Sequence, residues 1–185
     1  MEAVSFGKTG LKVSPLCLGT MMFGVHTNRT ESRRMADVAY ERGIFFWDTA
    51  DMYGKGASES VCGELLKGRR DKIVLATKAW AKMGDHPNAQ GLSARHLISA
   101  CDASLRRLQT DWIDIYYLHL PDPNTPLEET LQAVEDLRKA GKIRYAACSN
   151  YRAWETLRLV HTAQQQGWPP IVGVQPLYNI CNRDI

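Results

Sequence analysis

Short β-rich apolar runs alternate with stretches of helical period along the whole chain. The runs Leu16 to Gly19, Ile44 to Asp48, Ile73 to Thr77, Ile113 to Leu118, Ile143 to Cys148 and Ile171 to Gln175 predict six strands. Most are near-continuously apolar, the pattern of parallel strands covered on both faces. Between them, Leu97, Ile98, Cys101, Leu105 and Leu108 share one face of a helix predicted over Ser93 to Leu108. In the next helical stretch Thr125 is the expected N-cap, Pro126 suits the first helical position and Glu128 completes a capping box. Leu127, Leu131, Val134 and Leu137 mark its buried face, and Gly141 stops it, as Gly43 and Gly167 stop two others. A short hairpin around Gly7 to Gly10 precedes the first of these strands. No linker or low-complexity stretch divides the chain, so residues 1–185 read as one domain.

From the second strand onward the units recur about every thirty residues, the length of one βα unit. Such units build either a doubly wound open sheet or a closed barrel. The residues that end the strands discriminate between the two. Asp48, Lys78, His119, the pair Ser149-Asn150, and Gln175 stand at five successive strand ends, and parallel α/β folds carry their active sites at these carboxyl ends. On an open sheet the ends would spread along an edge whose strands lie about 4.8 Å apart. In a barrel they converge on one mouth. A complementary polar set on successive ends therefore predicts an α/β fold of the (β/α)8 TIM-barrel type, of which this chain supplies about six βα units.

Taken singly these residues have plain explanations: a turn at Asp48, a solvated strand end at Lys78, a core histidine at His119, loop packing at Tyr53. As a set they have the chemistry of one reaction. A carbonyl that accepts hydride develops negative charge on oxygen and needs a proton donor within reach. Tyrosine, with an ordinary pKa near 10, is a weak acid at neutral pH, and a neighbouring ammonium favours tyrosinate. Lys78 can supply that charge, Asp48 can hold Lys78, and His119 can hydrogen-bond the carbonyl oxygen. Tyr53 lies between Asp48 and two glycines, Gly54 and Gly56, where the chain can bend back over the mouth.

Composition narrows the class. The chain has 185 residues, 44% hydrophobic and 23% charged, with a formal net charge of +3. Its basic residues are scattered, which argues against nucleic-acid binding. No apolar run approaches the roughly 20 residues of a membrane span, and the first residues lack the apolar core of a signal peptide. Cys17, Cys62, Cys101, Cys148 and Cys181 are widely spaced and contain no C-x-x-C, as expected for reduced thiols in a cytoplasmic protein. The histidines show no metal-ligand spacing, so no metal is expected. Gly54, Gly56 and Gly63 do not form a dinucleotide fingerprint, because position 59 is Glu59.

The segment Asp48-Thr49-Ala50-x-x-Tyr53-Gly54, followed by Ser58-Glu59, resembles a motif of the aldo-keto reductase family. Ala76-Thr77-Lys78 is similar to that family's lysine strand, and Leu118-His119-x-Pro121-Asp122 to its histidine motif. Gly141-Lys142-Ile143-Arg144 with Cys148-Ser149-Asn150 resembles its nicotinamide-contacting turn, and Leu18-Gly19-Thr20 also fits. The resemblance implies a reductase that passes hydride from NADPH to a small aldehyde or ketone, with NADP rather than NAD implied by the family alone. Tyr53 would be the general acid, Lys78 and Asp48 its tuning partners, and His119 the residue that orients substrate. Ser149, Asn150 and Gln175 would grip the nicotinamide carboxamide, with Thr20 and Met21 lining the cofactor beside Asp48. Met22, Phe23 and Trp80 lie near the same mouth, where pocket lining and loop packing both account for them. The family barrel further implies a C-terminally truncated domain here. Two more strands, an aromatic that stacks on nicotinamide and a basic cluster for the 2′-phosphate are expected beyond residue 185, and the open edges predict self-association of the 185 residues alone. Two other readings share the fold, a cofactor-binding regulatory subunit associated with a channel and a truncated inactive family member; the complete tetrad favours the enzyme.

Overall fold

The computed structural model describes residues 1–183. The chain opens with an antiparallel hairpin, β1 (Val4–Ser5) and β2 (Lys12–Val13). It then alternates strand and helix: β3 (Cys17–Gly19), α1 (Arg29–Glu41), β4 (Phe46–Asp48), α2 (Ala57–Leu66), β5 (Val74–Ala79), α3 (Ala94–Leu108), β6 (Ile113–Leu118), α4 (Leu127–Lys139), β7 (Ile143–Ser149), α5 (Ala153–Gln165) and β8 (Ile171–Gln175). Strands β3 to β8 form one parallel sheet in strict chain order. Each helix returns the chain to the next strand, and the register puts Gly19 beside Asp48, Asp48 beside Ala76 and Ser149 beside Gln175.

The sheet is curled. Gln175 on β8 and Asp48 on β4 are four strands apart in the sheet order, a separation of about 19 Å if the sheet were flat. Yet Gln175 Nε2 lies 3.5 Å from Asp48 Oδ1. Six parallel strands curved so far form the larger part of a (β/α)8-type barrel, and the alternation of side chains sorts them into two layers. Ala76, Ile115, Tyr117 and Ala147 line the concave face, with Phe46, Val74 and Tyr145 against them. Trp47, Leu75, Tyr116, Leu118 and Cys148 point outward into the main core beneath the helices. The opening hairpin plugs the amino-terminal end of the concave face. Its Phe6 packs edge-on against Phe46 at 5.8 Å and lies so close to Gly173 that a Cβ there would sit 2.8 Å from Phe6 Cζ.

The predicted strands are all present, with small shifts of their ends. β4 begins at Phe46 rather than Ile44, and β5 runs through Lys78 to Ala79 because its backbone goes on pairing with β6. The helices stop where expected, with Gly43, Gly141 and Gly167 at positive φ just past their ends. Two expectations are corrected. The capping box on α4 does not form: Thr125 donates its hydroxyl to Asp122 Oδ2 at 2.8 Å, and Pro126 caps the helix without a side-chain bond. On α3, Ile98 is exposed, and the buried face runs instead through His96, Leu97, Ala100, Cys101, Ser104 and Leu108. Side-chain caps do form on α1, α3 and α5: Asn28 and Ser93 accept the N–H of Glu31 and of His96, and Glu155 accepts the N–H of Arg152.

Helices α2 and α3 cross at Gly63. A Cβ at this position would lie 2.5 Å from the carbonyl oxygen of Arg107 and 2.8 Å from the carbonyl carbon of Leu108. Both neighbours are backbone and cannot swing aside. Gly63→Ala should therefore destabilise the protein by about 3 kcal/mol, near the upper end for overpacking. A shift of the urea midpoint at unchanged slope would measure this, and an unshifted midpoint would mean the helices can part without cost.

Candidate active site

The carboxyl end of the curled sheet gathers the polar residues that end β4 to β8. At its centre is Lys78, the inward residue of β5, with no exposed surface. A buried ammonium needs an acceptor for each of its three protons. Lys78 Nζ has three: Asp48 Oδ2 at 2.5 Å, the Thr49 carbonyl at 2.8 Å and Tyr53 Oη at 3.2 Å. The ring faces of Tyr53 and Tyr117 lie 4.9 and 5.8 Å from it and add cation–π attraction. Burial holds the Asp48 carboxyl above its ordinary range, although the Lys78 charge and the Gln175 amide pull it down. Burial and the Asp48 charge likewise push the Tyr117 hydroxyl well up.

Tyr53 reaches Lys78 because the chain after β4 turns sharply. The backbone N–H groups of Thr49 and Asp51 donate to Ala76 and Lys78 carbonyls, and that of Tyr53 to Ala50. Tyr53–Gly56 then form a short 3-10 turn in which Gly54, Lys55 and Gly56 all have positive φ. Gly54 also lies under the loop between β3 and α1, where a Cβ would meet Val25 Cγ2 at 2.5 Å. His119, just past β6, faces Tyr53 edge-on with ring centroids 6.1 Å apart. Its Nδ1 is buried without a partner. Burial, aided by the nearby Lys78 charge, pulls its pKa down to about 4, so the imidazole is neutral at physiological pH.

The ends of β7 and β8 complete the mouth. Asn150, at φ 60°, donates from Nδ2 to the His119 carbonyl and to Ser149 Oγ, both at 3.0 Å. Ser149 Oγ donates to the Gln175 carbonyl at 3.0 Å. Thr20 is also brought to Asp48, but its hydroxyl is buried and donates to the Asp48 carbonyl at 2.9 Å while meeting Ser58 Oγ at 2.9 Å. Met21, next to it, is half exposed. Phe23 is packed in the main core, Met22 is exposed, and Trp80 is half-buried against the core with Nε1 unpartnered. The predicted set Asp48, Tyr53, Lys78, His119, Ser149, Asn150 and Gln175 thus shares one mouth. No group of three metal-binding side chains occurs among the described residues, and no helix among them is long and apolar enough to cross a membrane.

Sequence reasoning assigned no role to Glu59, which is fully buried between Thr77 and Arg107. Its only signal was its place after Ser58 in the Tyr53 motif. Arg107 gave none, because the pairing spans 48 positions.

A parallel α/β barrel architecture with a buried Asp-Lys-Tyr cluster and a neutral histidine at its carboxyl mouth defines the class. The family model for the aldo/keto reductase family matches residues 15–185, and the chain belongs to that family. It is 36% identical to versiconal hemiacetal acetate reductase of Aspergillus parasiticus across the whole chain and 61% of that protein. It is 39% identical to the uncharacterized oxidoreductase YrpG of Bacillus subtilis across 99% of the chain and 60% of that protein. It is 35% identical to the aldo-keto reductase YhdN of the same bacterium, over the whole chain and 56% of that protein. The chain thus spans 56–61% of the length of these relatives.

The depressed His119 value has a direct check. In an NMR pH titration its ring protons should move with a midpoint near 4. A midpoint near the ordinary 6.5 would mean that the mouth is wetter than this packing and that His119 is not held neutral.

Proposed function

We propose that this chain carries the catalytic cluster of an NADPH-dependent carbonyl reductase that converts small aldehydes or ketones to alcohols. The observation that supports this best is the fully buried Lys78 ammonium, whose donors end on Asp48, Thr49 and Tyr53. Tyr53 Oη accepts from Lys78 and so has its own proton to give. As hydride reaches the carbonyl carbon, charge grows on the oxygen. Tyr53 donates its proton to that oxygen, and the adjacent ammonium stabilises the tyrosinate that remains. Asp48 holds Lys78 charged and in place. Neutral His119 orients the carbonyl oxygen by a hydrogen bond without competing as a proton source.

The donor set at the mouth fits a nicotinamide carboxamide. Ser149 fixes Asn150 and the end of β8 by its own hydrogen bonds, which leaves the Asn150 amide oxygen and the Gln175 amide for a ligand beside Asp48. They would hold the carboxamide, with the exposed Met21 bordering the ring; Thr20 has no exposed surface and acts from behind, holding the Asp48 carbonyl. NADPH, when bound there, supplies the hydride. The choice of the phosphorylated cofactor rests on membership of the family. The reading includes closure of the barrel by two further βα units that supply the rest of the cofactor site, in a cytoplasmic protein. The wide spacing of the five cysteines, with no C-x-x-C, supports that compartment.

In the protein with a complete barrel, Tyr53→Phe should lower turnover of nitrobenzaldehyde by at least about 10²-fold, the usual worth of a general acid. Its NADPH affinity should barely change, because the hydroxyl acts in the transition state. Near-normal turnover by the Phe variant would assign the acid elsewhere. Lys78→Met should also cut turnover steeply, and NADH in place of NADPH should raise KM. A Met variant as active as the parent would remove the role given to the ammonium.

A further inference from the structure

Beneath the Tyr53 turn, between the sheet and helices α2 and α3, lies a second polar cluster that the proposed reaction does not use. Glu59 is fully buried, with both oxygens committed: Oε1 accepts the Thr77 hydroxyl and Oε2 accepts Arg107 Nε, each at 2.6 Å. Arg107 in turn supports the Tyr53 turn, since a Cβ on Gly56 would lie 2.5 Å from Arg107 Cδ. Asp51 adjoins this pair and is as deeply buried as Glu59. Apart from the pull of the Met52 N–H, neither of its oxygens has a hydrogen-bond partner. An unsatisfied carboxyl at such depth is costly unless it is neutral or can reach water.

The surroundings offer both routes. Asp51 borders a cavity of about 310 Å³ that continues past His96, Ala100 and Arg107 to a rim at His86 and Arg95. His96 Nε2 is a second buried, unpartnered atom on that wall. The charged and titratable groups around Asp51 are Glu59 on α2, Arg107 and His96 on α3, Lys78 on β5 and Tyr116 on β6. Of these, only Arg107 and Lys78 attract an ionised Asp51, and each is already held by another carboxylate. Burial first, then the Glu59 charge, lift the Asp51 carboxyl to about 7.

The backbone of Asp51 is wired into the reacting pair. Its N–H donates to the Lys78 carbonyl at 3.1 Å, and the Tyr53 N–H donates to the Ala50 carbonyl at 3.2 Å. We propose that Asp51 is a proton-operated positioning residue that seats the Tyr53 turn when neutral and loosens it when ionised. The neutral carboxyl leaves Arg107 on Glu59 and the turn closed. On ionisation the proton leaves to solvent through the cavity, and the carboxylate competes with Glu59 for Arg107, the support of Gly56. Tyr53 then moves away from Lys78. This regulation rests on reading Tyr53 and Lys78 as the reacting pair, but the movement itself is independent of it.

The sign follows from linkage. A carboxyl held at about 7 in the fold, against an ordinary 3.9 or so in the unfolded chain, favours the folded state most below pH 4. That advantage falls away by up to about tenfold in the folding constant per pH unit between pH 4 and 7, and is level above. His96 and His119, held down by burial, act in the opposite direction, so the difference between wild type and Asp51→Asn isolates Asp51. The Asn variant should gain stability over wild type as pH rises from 5 to 7.5, by roughly a hundredfold in the folding constant. In samples with isotope-labelled tyrosine, the Tyr53 ring signals should shift with a midpoint near 7 in wild type and lose that transition in Asp51→Asn. Parallel stability curves for the two proteins would overturn the proposal, as would Tyr53 signals that stay fixed while stability changes. If the Asn side chain disturbs folding, the wild-type tyrosine titration decides alone, and its absence between pH 5 and 8.5 overturns the idea. A Tyr53 that titrates as described in a protein with no carbonyl turnover would sink the reductase reading and leave this inference standing.

Discussion

The site depends on one demand, that an ammonium with no exposed surface be fully satisfied inside the barrel. Removing one partner of a buried ion pair typically costs about 3–5 kcal/mol, because the other charge is left alone. Asp48 therefore has to arrive beside Lys78. The parallel pairing of β4 and β5 delivers it by placing Asp48 opposite Ala76, two residues before Lys78 on the same face. The remaining two donors of Lys78 recruit the chain that follows β4. Its Thr49 carbonyl takes one, and the other draws Tyr53 back over the mouth. Electrostatic necessity alone thus brings Asp48, Thr49 and Tyr53 together around one ammonium.

The curl of the sheet follows from how its two faces are filled. Outside, Trp47, Tyr116 and a band of aliphatic residues need a layer of helices. Inside, alanines and a glycine leave the concave face narrow enough for Tyr117 and Lys78 to fill. Small residues at Ala76, Ala147 and Gly173 permit the curvature that brings Gln175 within reach of Asp48. With large side chains there, the strands would have to splay, and the groups at their ends would no longer share a mouth.

Much of this was legible in the chain. The β/α alternation placed Asp48, Lys78, His119, Ser149, Asn150 and Gln175 at successive strand ends, and spacing alone put them on one edge of a parallel sheet. What resisted reading lies between elements. The turn that carries Tyr53 needs three successive residues at positive φ, of which only the two glycines are visible in sequence. The α4 capping box failed because Asp122 claims Thr125 and also takes the Leu92 and Asn124 N–H groups, a competition invisible to a four-residue motif. Glu59 and Arg107 meet only because α2 and α3 cross at Gly63.

The molecule therefore places carboxylates on both sides of the Tyr53 turn, and they do different work. Asp48, on the concave side, is paired with a cation and open to the groups that end β8, so its charge is useful where it stands. Asp51, three residues on, faces the outer layer, where the available cation already belongs to Glu59. Burial lifts both carboxyls, but only Asp48 has a cation of its own to offset it. Because Asp51 bonds to the Lys78 carbonyl through its own N–H, a shift of its backbone reaches the strand that holds the ammonium. A substitution in the outer layer can therefore alter the mouth without touching a residue that lines it. Arg107 is where the two layers meet, since it neutralises Glu59 and at the same time props the glycine that closes the Tyr53 turn.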